Sequence, residues 1–390
     1  MKTKICIVSP VIPPDFSGAG KRAFNQAKHM AANGYKVTVL TATKNYQAFN
    51  NLDIISIVLP GYCKNKKITG VVVNTFYKPF LLIKILYVMK VYKFDIIHCF
   101  SANKWFSLLS ILSAKLAGAK TITEVTLLGS DDPMSIKKSR FGSLKLKIYN
   151  LTDVIVNISP LLLEKSKEIK LNSKAYVIGN FVDTIEFSTI TLVQKNKLRE
   201  KLGLSPQDFI LLHVGIIRER KGIKDLIDMF CQVNKLIENA KLVLVGPLSK
   251  DEENITYSLE IRMLIEKHNL KSKVIMPGEV NNVNEWMKAA DVFVFASKRE
   301  GFGTVLIEAM STGLPVVAMS IPKITDFIIR NNYDGIIVEN VLEFSNAVIK
   351  LYNDKEFYNF VAHNAVNTAK SRFRIDVIMN QYYDLYHEIL

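Results

Sequence analysis

Cysteine is scarce in this 390-residue chain. There are four, Cys6, Cys63, Cys99 and Cys231, widely spaced and without a CxxC. That argues against a disulfide framework and against a thiolate metal site. Three of the four lie in apolar runs, as buried reduced thiols of a cytoplasmic protein do. No apolar run approaches the roughly 20 residues that span a bilayer. Heptad arrays, solenoid-period repeats and low-complexity tracts are also missing. The opening residues, MKTKICIVSPVIPP, are too short and too β-branched for a signal peptide and read as a first strand. No DxD-like pair stands at a strand end in a metal-binding role, so neither a metal nor a cofactor is expected.

Acid is scarce in one half only. Residues 1–183 hold 26 Lys and Arg against 10 Asp and Glu, whereas residues 184–390 hold 25 against 26, within an overall charge of +15. The basic excess of the first half predicts an acidic partner there. Two segments concentrate it. The helical stretch Phe76–Lys93 carries Lys78, Lys84, Lys90 and Lys93 among Tyr, Phe and aliphatic residues. Lys137, Lys138, Arg140, Lys145 and Lys147 alternate with Phe141, Leu144, Leu146 and Tyr149, and Cys63–Lys67 is a basic loop. Basic amphipathic helices of this kind lie in membrane interfaces, which suggests an anionic membrane surface as partner. Nucleic acid is not favoured, because no recognition module is present and the basic residues do not line one reading helix.

Short apolar runs alternate with helical patterns through the whole length, which predicts an α/β fold with parallel sheets. The first βαβ unit is Ile5–Ser9, a loop Pro13–Gly20, a helix Lys21–Asn33 and a strand Val37–Thr41. Its glycines, Gly18 and Gly20, suit close approach of the backbone to a phosphate or sugar. They are not a Rossmann fingerprint, since the connection is long and no acid follows the second strand at Thr41–Thr43. His98, at the end of Phe94–Phe100, reads as a core histidine. Asp131 and Asp132 follow the strand Lys120–Thr126 and either orient a hydroxyl or form an Asx turn before Pro133.

The second half opens with a buried strand, Phe209–Val214, followed by Gly215, Arg218, Arg220, Lys221 and Gly222 before a helix. Cations and free amides at a helix start form a diphosphate site on chemical grounds. Gly278, Glu279 and Val280 close a later strand. The densest stretch is Ala290–Pro315, ADVFVFASKREGFGTVLIEAMSTGLP. Here a buried strand runs into Glu300-Gly301-Phe302-Gly303, and a helix from Thr304 carries Glu308 about one turn in, with Gly313 and Pro315 ending it. The two glutamates are either dipole complements or ligand groups.

Glu300-Gly-Phe-Gly followed by Glu308-Ala-Met resembles the signature of retaining glycosyltransferases of the GT-B fold, family GT4. The resemblance covers nearly the whole chain. It implies two Rossmann-like doubly wound domains facing across a cleft: an acceptor domain 1–183, a linker 184–205, a nucleotide-sugar donor domain 206–370, and a C-terminal helix 371–390 packing back on the first domain. It implies transfer of a sugar from a nucleotide diphosphate sugar to a glycan or lipid-linked acceptor, in bacterial surface polysaccharide assembly. The expected location is cytoplasmic, at the inner face of the plasma membrane. Glu300, Lys221, Arg218 and Asp131 would then be the catalytic set. Gly18, Gly20, Gly215, Arg220, Gly278, Glu279, Val280, Gly301, Phe302, Gly303, Thr304 and Glu308 would hold the donor. Two positions depart from the family pattern. Ile216 stands where an arginine is usual, leaving Arg218 or Arg220 to reach the phosphates, and Thr126 stands where a histidine is usual. These departures leave open a non-catalytic GT-B scaffold in a membrane glycan complex, and the same fold also leaves open a nucleotide-sugar epimerase.

Overall fold

The computed structural model describes residues 3–15, 17–46, 48–57, 67–248 and 252–390. It divides into two compact units, Met1–Ile178 with Met379–Leu390, and Gly179–Ile378. Of the basic loop expected at Cys63–Lys67, residues 63–66 lie outside the described residues and Lys67 begins a helix. The other three cysteines are free, with Cys6 and Cys99 buried.

In the first unit the elements run β1 Lys4–Val8, α1 Gly18–Ala32, β2 Lys36–Thr41, β3 Asp53–Ser56, α2 Lys67–Tyr92, β4 Ile96–Cys99, α3 Trp105–Leu116, β5 Lys120–Val125, α4 Pro133–Lys138, α5 Gly142–Tyr149, β6 Val154–Asn157, α6 Pro160–Lys167 and β7 Lys174–Val177. The strands form one parallel sheet in the order β3-β2-β1-β4-β5-β6-β7. Cys6 of β1 pairs in register with Thr38 on one side and Ile97 on the other. β1 and β4 are thus neighbours although two helices and two strands separate them in sequence, and the order reverses between them. Ile5, Cys6, Ile7 and Val8 are fully buried, as continuous apolar strands covered on both faces must be.

The second unit runs α7 Leu192–Lys201, β8 Phe209–Val214, a 3₁₀ turn Glu219–Lys221, α8 Ile223–Leu236, β9 Ala240–Val245, α9 Glu252–Lys267, β10 Val274–Gly278, α10 Val283–Ala289, β11 Val292–Phe295, α11 Thr304–Ser311, β12 Val316–Met319, α12 Thr325–Ile328, β13 Ile336–Val338, α13 Val341–Asn353, α14 Lys355–Arg372 and the first turn of α15 Ile375–Ile389. Its sheet is also parallel, in the order β10-β9-β8-β11-β12-β13, with the reversal between β8 and β11. α8 packs Ile223, Leu226, Ile227, Phe230 and Val233 into the core at helical spacing.

Several boundaries differ from the expectations. α1 begins at Gly18 because Ser17 caps it, its Oγ accepting from the Gly20 amide at 3.1 Å. Gly18 and Gly20 therefore belong to the first helical turn and not to a loop. Residues 184–205 are not a plain connector. They carry α7, started by a capping box between Thr191 and Gln194. α7 is tied to its own unit through Lys195 and Arg199, whose side chains reach the Asp291 carboxylate at 2.7 and 2.6 Å.

The end of α15 belongs to the first unit. Inside it, Arg22 Nε donates to Glu124 at 2.8 Å, and both side chains are buried. Tyr382 donates to the same carboxylate while accepting from Arg22 at 2.7 Å. Tyr386 accepts from Gln26 at 3.0 Å and lies 2.8 Å from Nδ1 of His98. His98 is fully buried. Burial pushes the Glu124 carboxyl up, but Arg22 and His98 outweigh it and bring it down to about 2. The stability this contributes is present above the ordinary glutamate value and is lost as pH falls toward 2. Glu124→Ala leaves Arg22 buried without its carboxylate. It is expected to cost about 3–5 kcal/mol, read as an earlier urea transition of this unit; a loss below about 1 kcal/mol would show that the pair does not hold it together.

Candidate functional site

The sheet reversal in the second unit places two loops side by side at the carboxyl ends of β8 and β11, where open α/β sheets bind ligands. The loop after β8 passes Gly215, makes the 3₁₀ turn and reaches Gly222. Gly222 has φ +65°, and a Cβ there would lie 2.0 Å from the Ala296 carbonyl oxygen, just past β11. Only glycine satisfies both demands. The loops are then pinned together: the Lys298 amide donates to the Arg220 carbonyl at 2.8 Å, and Arg220 Nη1 donates to the Arg299 carbonyl at 3.1 Å.

This zipper brings two of the predicted residues into contact. Lys221 Nζ lies 2.5 Å from Glu300 Oε1, and both residues are 8% exposed. Arg220 Nη1 approaches the same oxygen at 3.4 Å. Burial would raise the Glu300 carboxyl, but Lys221 and Arg220 hold it below the usual carboxylate range. Gly215 borders the same place, since a Cβ on it would stand 3.4 Å from Lys221 Cε and 3.2 Å from His213 Nε2. The ends of the neighbouring strands are equally close. A Cβ on Gly246 would lie 2.0 Å from the Gly215 carbonyl oxygen, and the Gly246 amide donates to Gly278 at 2.9 Å. Gly278, with φ +82°, and then Glu279 and Val280 leave the edge two strands from β8, about 10 Å along it.

Gly303, at φ +94°, starts α11 without a side-chain cap. Helix starts of this kind turn backbone N–H groups and the positive dipole end outward. Gly301 and Phe302 are buried, and the Phe302 ring meets Phe327 and Phe373 edge-on at 6.3 and 6.0 Å. Thr304 opens the helix and Glu308 is half-buried on its second turn.

Sequence reasoning missed two residues here. Asn180 Nδ2 donates to Thr304 Oγ1 at 2.7 Å, and its Oδ1 is buried without a hydrogen-bond partner among the described residues. His213 is fully buried on β8. Its Nδ1 lies 3.2 Å from the Val294 carbonyl, which can only accept, so Nδ1 carries the proton and Nε2 is a bare acceptor beside Gly215. Burial and the nearby Lys221 push the imidazole down to about 4, so it is neutral at pH 7. A continuous apolar strand broken once by His213 was the available signal.

In the first unit the expectations need correction. Asp131 is not an exposed carboxylate awaiting a hydroxyl. It is 3% exposed and accepts from the amides of Thr126 and Leu127, at 3.1 and 2.8 Å, and from the Thr126 hydroxyl at 2.5 Å. Burial drives it up to about 6 against those hydrogen bonds. Asp132 caps α4 through the Ser135 amide at 2.9 Å. The pair ties the loop after β5, and neither carboxylate presents a free face. Gly20 is explained by packing, because a Cβ would lie 2.0 Å from the Val11 carbonyl oxygen, while Gly18 faces open space.

A profile described as Glycosyl transferases group 1 matches residues 194–368, and one described as Glycosyltransferase Family 4 matches residues 16–186. The chain is a GT-B glycosyltransferase of family 4. This glycosyltransferase is similar to N-acetyl-alpha-D-glucosaminyl L-malate synthase of Bacillus anthracis, 27% identical over 271 residues, 69% of this chain and 66% of that protein. It is also similar to the UDP-Gal:alpha-D-GlcNAc-diphosphoundecaprenol alpha-1,3-galactosyltransferase of Escherichia coli, 28% identical over 323 residues, 78% of this chain and 79% of that one. Anabaena HepE, solved in complex with UDP and glucose, has the same fold, with a TM-score of 0.80 at 19% identity over 99% of this chain and 100% of the other.

The neutral His213 has a measurable consequence. The unfolded chain takes up a proton near pH 6.5, whereas folded His213 resists it down to about 4. Stability therefore rises with pH across that window. His213→Leu is expected to flatten the fall in melting temperature between pH 6.5 and 4 relative to the parent; superimposable pH profiles would contradict the assignment.

Proposed function

We propose that the second unit binds a nucleotide diphosphate sugar along the carboxyl edge of its sheet. The enzyme then transfers the hexosyl group, with its anomeric configuration kept, to a hydroxyl of a glycan or lipid-linked acceptor in bacterial surface polysaccharide assembly. The observation that carries the proposal is the buried Lys221–Glu300 contact across the sheet reversal, next to the uncapped start of α11. Transfer breaks the bond between the anomeric carbon and the diphosphate oxygen and forms one to the acceptor oxygen, whose proton leaves with the departing phosphate. Negative charge builds on the diphosphate. Lys221, assisted by Arg218 or Arg220, and the amides at Gly303 and Thr304 neutralise it. Glu300 is held ionised and accepts hydrogen bonds from donor sugar hydroxyls, while Glu308 holds the ribose hydroxyls. Gly278, Glu279 and Val280 flank the base.

Lys221 and Glu300 are assigned to different parts of the donor, yet they hold each other here. Donor binding must therefore share or part the pair, and a preorganised cation beside a ready carboxylate makes that exchange local. The basic side chains and helix dipole supply the charge neutralisation that a metal supplies elsewhere, so the proposed transfer needs no metal. The basic excess of residues 1–183 supports an anionic or lipid-linked acceptor. The names of the relatives, which include transfer to a diphosphoundecaprenol-linked sugar, support the same class.

A thermal-shift panel of nucleoside diphosphates and their sugars should identify the donor, and transfer to polyprenyl-linked acceptors should then follow in excess chelator. No stabilisation by any nucleotide would sink the donor assignment, and loss of activity in chelator would sink metal independence. Lys221→Ala should lower kcat by about 10²–10³, the usual loss on removing one preorganised charge partner; near-normal turnover would refute its role.

A further inference from the structure

α2 is apolar on two opposite sides. Leu81, Ile85, Val88 and Met89 are buried, and the helix packs on α3. On the other side Phe80, Ile83, Tyr87 and Val91 follow one another at helical spacing with relative exposures of 46, 66, 67 and 55%. A solvent-facing stripe of a packing helix is normally polar. Lys84 and Lys90 are exposed within the same stripe, and Lys84 Nζ lies 5.5 Å from the Phe80 ring centroid. The Lys84 ammonium thus sits over an exposed aromatic ring of the stripe.

A second group of cations and rings gathers where the packed side of the same helix meets the start of α3. Lys78, on α2, sits 4.4 Å from the Trp105 ring and 4.8 Å from Phe141. Lys145 approaches Trp105 at 5.9 Å, and Arg140 approaches Phe141 at 5.2 Å. Phe141 and Leu144 are half exposed, and Phe141 holds a left-handed backbone at φ 60° that an aromatic residue seldom adopts. Lys145 is pushed down by burial and by Lys104 and Lys78, which crowd it. Among the described residues no ion pair involves Lys78, Lys84, Lys90, Lys104, Arg140 or Lys145. Cations are gathered here without acids to balance them, and large apolar side chains stand exposed between them. No helix among the described residues is long and apolar enough to cross a membrane.

We propose that the exposed side of α2, with Lys84 and Lys90 flanking its apolar stripe, docks on the surface of an anionic lipid bilayer. Lipid phosphates would lie among the lysines, and Phe80, Ile83, Tyr87 and Val91 would enter the boundary between headgroups and acyl chains. Charge complementarity selects the occupant. A protein partner would be expected to pair the lysines with acids at fixed positions, whereas a lipid surface offers diffuse negative charge together with an apolar layer just beneath. The docking face belongs to the first unit and the donor site to the second, and the proposal does not depend on the transferase mechanism.

Co-sedimentation of the full chain with vesicles tests this. Vesicles of phosphatidylcholine with about 30% phosphatidylglycerol should bind the chain, and pure phosphatidylcholine should not. Lys84→Ala with Lys90→Ala should weaken partitioning about 30-fold, roughly five-fold per lysine. Ile83→Ser with Tyr87→Ser should weaken it at least about ten-fold at unchanged charge. Circular dichroism and the thermal shift with nucleoside diphosphate, which reports the second unit, would establish that both variants are folded and separate failure here from failure of the donor assignment. Three results would overturn the proposal: no binding to anionic vesicles, serine variants that bind like the parent, or a parent that self-associates through this face or takes up RNA while ignoring lipid.

Discussion

The second unit depends on the absence of one side chain. Gly222 lets the loop after β8 lie against the carbonyl of Ala296, and any Cβ there would collide with backbone that cannot move. From that contact follow the Lys298–Arg220 backbone bond and the meeting of Lys221 with Glu300. Two buried charges are costly alone and tolerable together. Their pairing keeps a cation and a carboxylate inside a protein edge where neither would survive by itself. The same close-approach device recurs along the edge, where Gly246 lies against the Gly215 carbonyl. Strand ends drawn this tightly leave backbone groups and charged side chains as the chemistry available to a ligand.

The two units spend charge differently. In the second, cations meet carboxylates across strand ends and the net charge nearly cancels. In the first, one buried ion pair, Arg22 with Glu124, anchors the tyrosines of the chain's last helix, while most of the remaining lysines face outward. A family 4 glycosyltransferase of this build pairs Lys221 with Glu300 where the donor is proposed to sit. It keeps its unbalanced charge in the other unit.

Much of the second unit was legible in the sequence. Phe293–Ala296 is apolar throughout because both faces of its sheet are covered, and Lys221-Gly222 and Glu300 stand at loop positions where only a close approach or a ligand explains them. The sequence left open whether Arg218 or Arg220 accompanies them; the Arg220 guanidinium approaches Glu300. Asp131 misled because a carboxylate after a strand looks the same whether it points outward or folds back on the amides of its own loop; only the folded chain separates the two. His213 was hidden by an otherwise apolar strand, and the early start of α1 by a serine cap followed by glycines that read as loop. In each case local chemistry was visible in the sequence, whereas its tertiary partner was not.

Affinity measured by calorimetry with Lys221→Met and Glu300→Gln, singly and together, tests the central claim most directly. The cognate nucleoside diphosphate and its sugar should be titrated in turn. Lys221→Met should weaken both ligands by at least about ten-fold, a loss of about 1.4 kcal/mol or more. Glu300→Gln should weaken only the sugar-bearing ligand, because its assigned contact is to the sugar. Equal losses of both ligands in the two variants, or no loss in either, would contradict the assignment of cation to phosphate and carboxylate to sugar.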